Sequence, residues 1–554
     1  MVKNKMASMN HRTRIPCILF ILLVITSCTD NVQKNTENGS VASAHPLATK
    51  AGMEILQSGG NAFDAAIAVA STLNVVEPMM SGIGGYGTIL VYDSDQKIVR
   101  YLNPSGRFPL ATNTDLMRPP TPDFMSNRTG PKSISTPGNL NAWALMHDEY
   151  GKMAWEELFK TAIKHAENGF KISKNTAEWI SLSYQDFSDY SRSFYGTNDK
   201  PLSQGEELFQ KDLGKTLRKI SQDGVGSFYN GEIAEAIDSK MKEVGSFLRL
   251  EDLQANEAEW WEPLKIDYRG YDVYTAALPA NSFAAFVNLG LMKEFKSGEF
   301  DHNSTPYLHH FAEMTKESYK ARLAYSFDPD VRTAPLDSLF SSETLSRMAS
   351  NINESKATEF VPPFAPESIN TTHFVVADRW GNIVSATQTL GNLFGSRIMV
   401  EGTGIWLNNS MAYSTFEPKG NPMDAFAGRH KLSGDCPIII IKDNQPWAAL
   451  GSPGGHTITQ NVPQIIFNLI DFKMSMQEAI DVPKISFIEP NFLRVEQEIS
   501  DNTVQELEAM GHQIKIGRIG NATGIKMIYS DDGGIEFDVG IDRRGEGRNA
   551  IVDH

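Results

Sequence analysis

The stretch Ser368-Ile-Asn-Thr-Thr-His-Phe-Val-Val-Ala-Asp378 constrains this 554-residue chain more than any other. Its first residues are polar and turn-prone, and from His373 onward it reads as a strand of alternating apolar residues. A fold that accepts it must bring a turn to the mouth of a buried sheet and set two threonines there. If the Asn370-Thr371 bond is cut, Thr371 becomes an N-terminus. Its hydroxyl can then act as nucleophile and its own α-amino group as base. Thr-Thr-His also opens ordinary strands, so the surrounding motifs have to decide between the two readings.

Eighty residues on, Gly451-Ser-Pro-Gly-Gly-His456 leaves a strand with more glycine than packing needs. Bare backbone N–H groups in such a turn can converge on one point, as a tetrahedral oxyanion requires. Between the two lie Thr387-Gln-Thr389 and Gly404-Ile-Trp-Leu-Asn-Asn409. Upstream, in order, come Ala44-His-Pro-Leu-Ala48, Gly59-Gly-Asn-Ala-Phe-Asp-Ala-Ala66, Val76-Glu-Pro78 and Ser81-Gly-Ile-Gly-Gly85. Ser135-Thr-Pro-Gly138, Phe228-Tyr-Asn-Gly-Glu-Ile-Ala234 and Asp267-Tyr-Arg-Gly-Tyr271 follow. The whole resembles the γ-glutamyltranspeptidase family of N-terminal-nucleophile hydrolases over residues 41–554.

That resemblance implies an α+β fold of four layers, α-β-β-α, in which two sheets stack and helices cover their outer faces. It implies self-cleavage into a large segment, 41–370, and a small one, 371–554, which stay together as an interleaved heterodimer. Thr371 would be the nucleophile, Thr389 would orient it, and Gly454 and Gly455 would supply oxyanion N–H groups. The activity expected is hydrolysis or transfer of γ-glutamyl groups. The alternatives are an acylase acting on other acyl amides and, from a different class, a lipid-anchored binding protein without turnover.

The resemblance also exposes departures in the acyl pocket. Family members clamp the substrate α-carboxylate with an arginine two residues before an X-Ala-Pro step. Leu102-Asn-Pro-Ser-Gly-Arg-Phe-Pro109 puts Ser105 there and moves the arginine to Arg107. A serine cannot provide the bidentate charged fork. Tyr413 stands where an acid usually holds the α-ammonium, and Gly391 replaces a polar side chain after Thr389-Leu390. Ser410 replaces a longer amide or acid, and the usual Ser-Ser pair is Ser433-Gly434. Arg397, with Arg107, could restore carboxylate binding from a new direction, or could be a surface ion-pair partner. Asn409 and Asp435 flank the same pocket. The segment 416–432 is shorter than the family's longest versions, so a site without a full lid is expected.

Composition bounds the partners. Lys+Arg number 51 against Asp+Glu 67, for a formal charge of −16, and no basic stripe is present to follow a phosphate backbone. Nucleic acid is therefore not an expected partner. Residues 1–27 read as a signal peptide, with Lys3, Lys5, Arg12 and Arg14 ahead of an apolar run from Ile15 to Ile25 too short to span a bilayer. Loss of those four cations would take −16 to −20. Ile25-Thr-Ser-Cys28 resembles a bacterial lipoprotein box, so Cys28 is expected to carry lipid, residues 28–40 to form a flexible tether, and the body to sit in the bacterial cell envelope. A plain secretory signal is the alternative. Cys436 then stands alone and reads as a small packed hydrophobe. No metal-ligand spacing appears, and Gly82-Ile-Gly-Gly85 lacks the lysine of a nucleotide loop, so no metal or cofactor is expected.

Overall fold

The computed structural model describes residues 39–360, 370–488, 491–531 and 533–544. The signal peptide, Cys28 and most of the tether lie outside the described residues. The tether's last two residues do not. Gly39 and Ser40 belong to a buried strand, β1 (Gly39–Ser43), which corrects the expected boundary at residue 40.

Two six-stranded sheets form the centre. The first contains β1, β2 (Tyr86–Asp93), β3 (Ile98–Asn103), β4 (Glu259–Trp261), β7 (Thr372–Asp378) and β8 (Ile383–Thr389). The second contains β5 (Leu264–Tyr268), β6 (Tyr271–Thr275), β9 (Ile438–Lys442), β10 (Gln445–Gly451), β11 (Thr523–Tyr529) and β12 (Ile535–Ile541). Their spatial orders are β1-β7-β8-β2-β3-β4 and β12-β11-β10-β9-β6-β5. The stretch 259–268 supplies one edge strand to each sheet and changes sheet across Glu262-Pro263.

Side-chain alternation sorts the layers, because successive residues of a strand face opposite sides. Val375, Ala377, Leu90, Ile439, Ala449 and Ile525 meet between the two sheets. Phe374, Val376, Val384 and Ala386 face the other way, onto α1 (Pro46–Gln57) and α2 (Ala62–Val76). Ile438, Ile440, Ala448 and Leu450 pack against α3 (Phe283–Met292), α4 (Thr305–Tyr325) and α5 (Ile458–Ile470). The expected α-β-β-α layering follows.

Residues 46–73 carry one continuous helical period, yet the chain breaks it at Gly59-Gly60, where Gly59 adopts φ +95°. Asn61 then caps α2 in a capping box with Asp64. Asp378, at the far end of β7, accepts the Ala62 N–H at 3.0 Å and ties strand to helix. Cys436 is buried in the second core, its thiol pushed up to about 12 by burial, as suits an unreactive packed residue.

His373 lies between the sheets, its Nδ1 2.9 Å from Thr387 Oγ1, against Gly451, where any Cβ would meet the ring at 2.3 Å. Burial lowers its pKa to about 3, so the folded protein holds the ring neutral. An unfolded histidine titrates near ~6.5. Between those values the unfolded chain binds the extra proton, and stability falls as pH falls. At pH 5 this one residue is expected to cost ~2 kcal/mol relative to pH 8. Urea midpoints of wild type and His373→Asn across pH 8 to 5 check it: the variant should lose less, and parallel curves would refute the assignment.

Candidate active site

Thr371 immediately precedes β7 and is 4% exposed. Its Oγ1 donates a hydrogen bond to the carbonyl oxygen of Asn370 and lies 3.4 Å from Thr389 Oγ1. Thr389 closes β8, the neighbouring strand, and its own hydroxyl donates to the same Asn370 carbonyl at 3.1 Å. The Gly391 N–H donates to Thr389 Oγ1 at 2.9 Å. With a lone pair so engaged, the Thr389 proton is left to point at the Asn370 carbonyl. Two threonine hydroxyls thus converge on the peptide bond that precedes Thr371.

Gly391 can do this because it is glycine. It adopts φ +103°, and a Cβ there would stand 2.1 Å from Asn409 Oδ1. That oxygen accepts the Asn392 N–H at 2.8 Å, while the Asn409 N–H donates to Leu390 O at 2.9 Å. Tyr413 completes the clamp by donating its hydroxyl to Gly391 O at 3.2 Å. Gly391 and Tyr413 were expected to line the pocket through altered side chains. The structure corrects Gly391 to a backbone strut for Thr389, and gives Tyr413 a part in the same strut.

The glycine turn leaves β10 beside the start of β7, where His373 packs on Gly451 and Thr523 Oγ1 donates to His373 O at 3.2 Å. Gly454 and Gly455 have φ +133° and +57°. Among the described residues neither glycine's N–H donates to another backbone group. Gly434 packs directly on this turn: a Cβ there would meet Gly455 O at 2.8 Å. A side chain at position 434 would therefore press on that turn.

The two arginines do not enter the site. Arg107 donates to Asp330 at 3.0 Å and to Gly428 O at 3.3 Å, on the wall of a separate cleft of about 280 Å³ that Glu259 and His430 also line. Arg397 pairs with Asp186 at the surface. The surface ion-pair reading of Arg397 is the one realised, and the proposed carboxylate clamp by Arg107 and Arg397 is withdrawn. Segment 416–432 is docked rather than loose. Phe416 and Ala425 join Phe108 and Met117 in a small core, and Asp424 takes two hydrogen bonds of 3.0 Å from Arg118.

Sequence reasoning missed Lys431. Its side chain is fully buried, with Nζ 3.0 Å from the centre of the Tyr86 ring and 5.6 Å from that of Tyr413. Burial drives its pKa well below the ordinary lysine range, against the pull of Asp435. Asp435, also buried, is pushed up to about 6, restrained by Lys431 and by the Thr88 hydroxyl that donates to it at 3.2 Å. Ser105, Ser410 and Ser433 are fully or almost fully enclosed, and His456 is half-buried. Arg429-His430-Lys431 looks like a solvated charge run, but the segment is pinned by the bridge of His430 to Arg107 and by the Lys431 N–H donating to Gly106 O, with its side chain inward.

A self-facing threonine at the head of a central strand, inside an α-β-β-α sandwich, defines the N-terminal-nucleophile hydrolase fold. The family model described as Gamma-glutamyltranspeptidase matches residues 48–552, and the chain belongs to that family of hydrolases and transferases. It is 32% identical over 521 residues to the glutathione hydrolase proenzyme of Bacillus subtilis (strain 168), covering 89% of each chain. It is 31% identical to the acylase ACY 1 proenzyme of Pseudomonas sp. (strain SE83), covering 86% of this chain and 87% of that one. Among solved structures, cephalosporin acylase from Bacillus halodurans superposes with a TM-score of 0.84 at 28% identity, covering 94% of this chain and 98% of that one.

Proposed function

We propose that this protein is a self-processing amidase and acyltransferase whose nucleophile is Thr371. The observation that carries the reading is the Asn370 carbonyl held between the hydroxyls of Thr371 and Thr389. In processing, Thr371 Oγ1 attacks the Asn370 carbonyl carbon. The C–N bond breaks, the nitrogen takes up the hydroxyl proton, and the resulting ester is hydrolysed by water to free the Thr371 amine. That amine, with an ordinary pKa of roughly 7.7–8.0, then accepts the hydroxyl proton during attack on a substrate amide near neutral pH. The acyl-threonine passes to water or to an amine. Gly454 and Gly455 would donate to the oxyanion, where one donor is typically worth ~2.7–4 kcal/mol.

Glutathione hydrolase relatives favour γ-glutamyl amides as substrates. A second reading, an acylase for other small acyl amides, is favoured by a specific observation: Ser105 and Tyr413 carry no charge, and Arg107 and Arg397 are engaged elsewhere. Both readings are met by one assay of purified, processed protein on γ-glutamyl, glutaryl and simple acyl anilides. The expected kcat/KM for γ-glutamyl anilide exceeds that for the des-amino glutaryl anilide by less than about tenfold, ~1.4 kcal/mol. A preference above roughly a thousandfold, ~4 kcal/mol, would establish a full zwitterion grip and exclude the acylase reading. No turnover of any anilide would leave only the binding-protein alternative.

A further inference from the structure

Lys431 is a buried amine in search of an acceptor. Its Nζ is fully enclosed and has no hydrogen-bond partner among the described residues. A buried donor without an acceptor costs stability, and a charged one costs more. Asp435 makes no hydrogen bond to this Nζ among the described residues and acts on it only through space. An amine held this way gains from taking up its proton when a second anion arrives beside it.

Its position says which anion. Both rings that flank the amine are tied to the nucleophile's surroundings. Tyr86 is the direct cross-strand partner of Thr389, and the Tyr413 hydroxyl bonds Gly391, whose N–H holds Thr389. The Lys431 backbone N–H donates to Gly106 O at 3.3 Å, next to Ser105, and three residues on Gly434 touches the Gly454-Gly455 turn. The amine is therefore set beside the acyl-transfer centre, and what reaches it is a part of the acyl group remote from the scissile amide. Asn409 Nδ2 and Ser410 Oγ, also buried and without hydrogen-bond partners among the described residues, add neutral polar groups on the Tyr413 side.

We infer that Lys431 is the specificity-determining residue of this enzyme, receiving a carboxylate carried on the acyl group several bonds from the amide that Thr371 attacks. The preferred donors are thus amides of dicarboxylic acids, with or without an amino group. Tyr86 and Tyr413 shield the ion pair from water. The inference rests on the Thr371 reading and is separable from it by experiment.

The test compares glutaryl anilide with its neutral carboxamide analogue, in which the terminal carboxylate is replaced by an amide of nearly the same shape. Wild type should favour the carboxylate at least a hundredfold in kcat/KM. Lys431→Met should bring the two within about fivefold, chiefly by losing the carboxylate substrate, and Lys431→Arg should restore part of the preference. A purely structural lysine would lower both activities together, and that result, or a wild-type preference below fivefold, overturns the inference. Processing on a denaturing gel controls for folding. If neither variant folds, a crystal of processed wild type soaked in glutarate decides: a carboxylate within hydrogen-bond distance of Lys431 Nζ supports the assignment, and one seated elsewhere refutes it. Absence of turnover on both anilides, with processing intact, sinks the amidase reading and this inference with it.

Discussion

Purified wild-type protein is expected to run as two chains on a denaturing gel, the smaller beginning Thr-Thr-His, while Thr371→Ala stays a single chain with no amidase activity. The effect is all or none because no neighbouring group can replace the attacking oxygen. Thr389 Oγ1, the next nearest hydroxyl, donates to the Asn370 carbonyl at 3.1 Å but is held by the Gly391 N–H and belongs to another strand. Thr371→Ser keeps the oxygen and should process, more slowly for want of the methyl group that fixes the rotamer. N-terminal sequencing of the smaller chain is the direct check. A single chain with full activity would end the mechanism.

Thr389→Val should slow processing by about 10²–10³-fold, the effect of removing one donor aimed at a carbonyl that becomes an oxyanion. The substitution conserves shape, so the fold should survive, and the time course of chain separation after synthesis measures the rate. Gly391→Ala attacks the same contact from behind. With φ +103° and Asn409 Oδ1 2.1 Å from the new Cβ, the strut must move, at a backbone cost of roughly 1–3 kcal/mol. It should therefore lower both stability and processing rate, whereas Thr389→Val lowers only the rate. Normal processing in both variants would remove Thr389 from the chemistry.

Elements with strong local signals were legible in the sequence. Ile438–Lys442 and the hairpin around Asp93 to Asp95 fall where alternation and turn residues put them, because both faces of those strands are decided by neighbours of known polarity. The edge strands were not. Gly39–Ser43 is short and polar, and becomes a strand only because β7 offers it an unpaired edge. Glu259–Trp261 and Leu264–Tyr268 sit amid helical periods, and their assignment depends on two different sheets arriving beside them. The residues assigned here to the reaction, Thr371, Thr389 and the Gly454-Gly455 turn, stood out through their motifs. The pocket did not. Arg107 and Arg397 are long side chains whose direction is fixed by distant Asp330 and Asp186, and Lys431 is turned inward by a pairing between segments over three hundred residues apart.

The strand order β1-β7-β8-β2 places two strands from beyond Thr371 between two from before it, and in the second sheet β5 and β6, from before it, extend the edge of β9 to β12, from beyond it. A cut at Asn370-Thr371 therefore nicks a woven fabric instead of parting two docked bodies. Neither piece would retain a complete sheet, so parting them would mean opening both sheets along their paired strands. The new chain end would be correspondingly private: its α-amino group would lie in the interior of a structure already closed around it, next to the seven residues of β7.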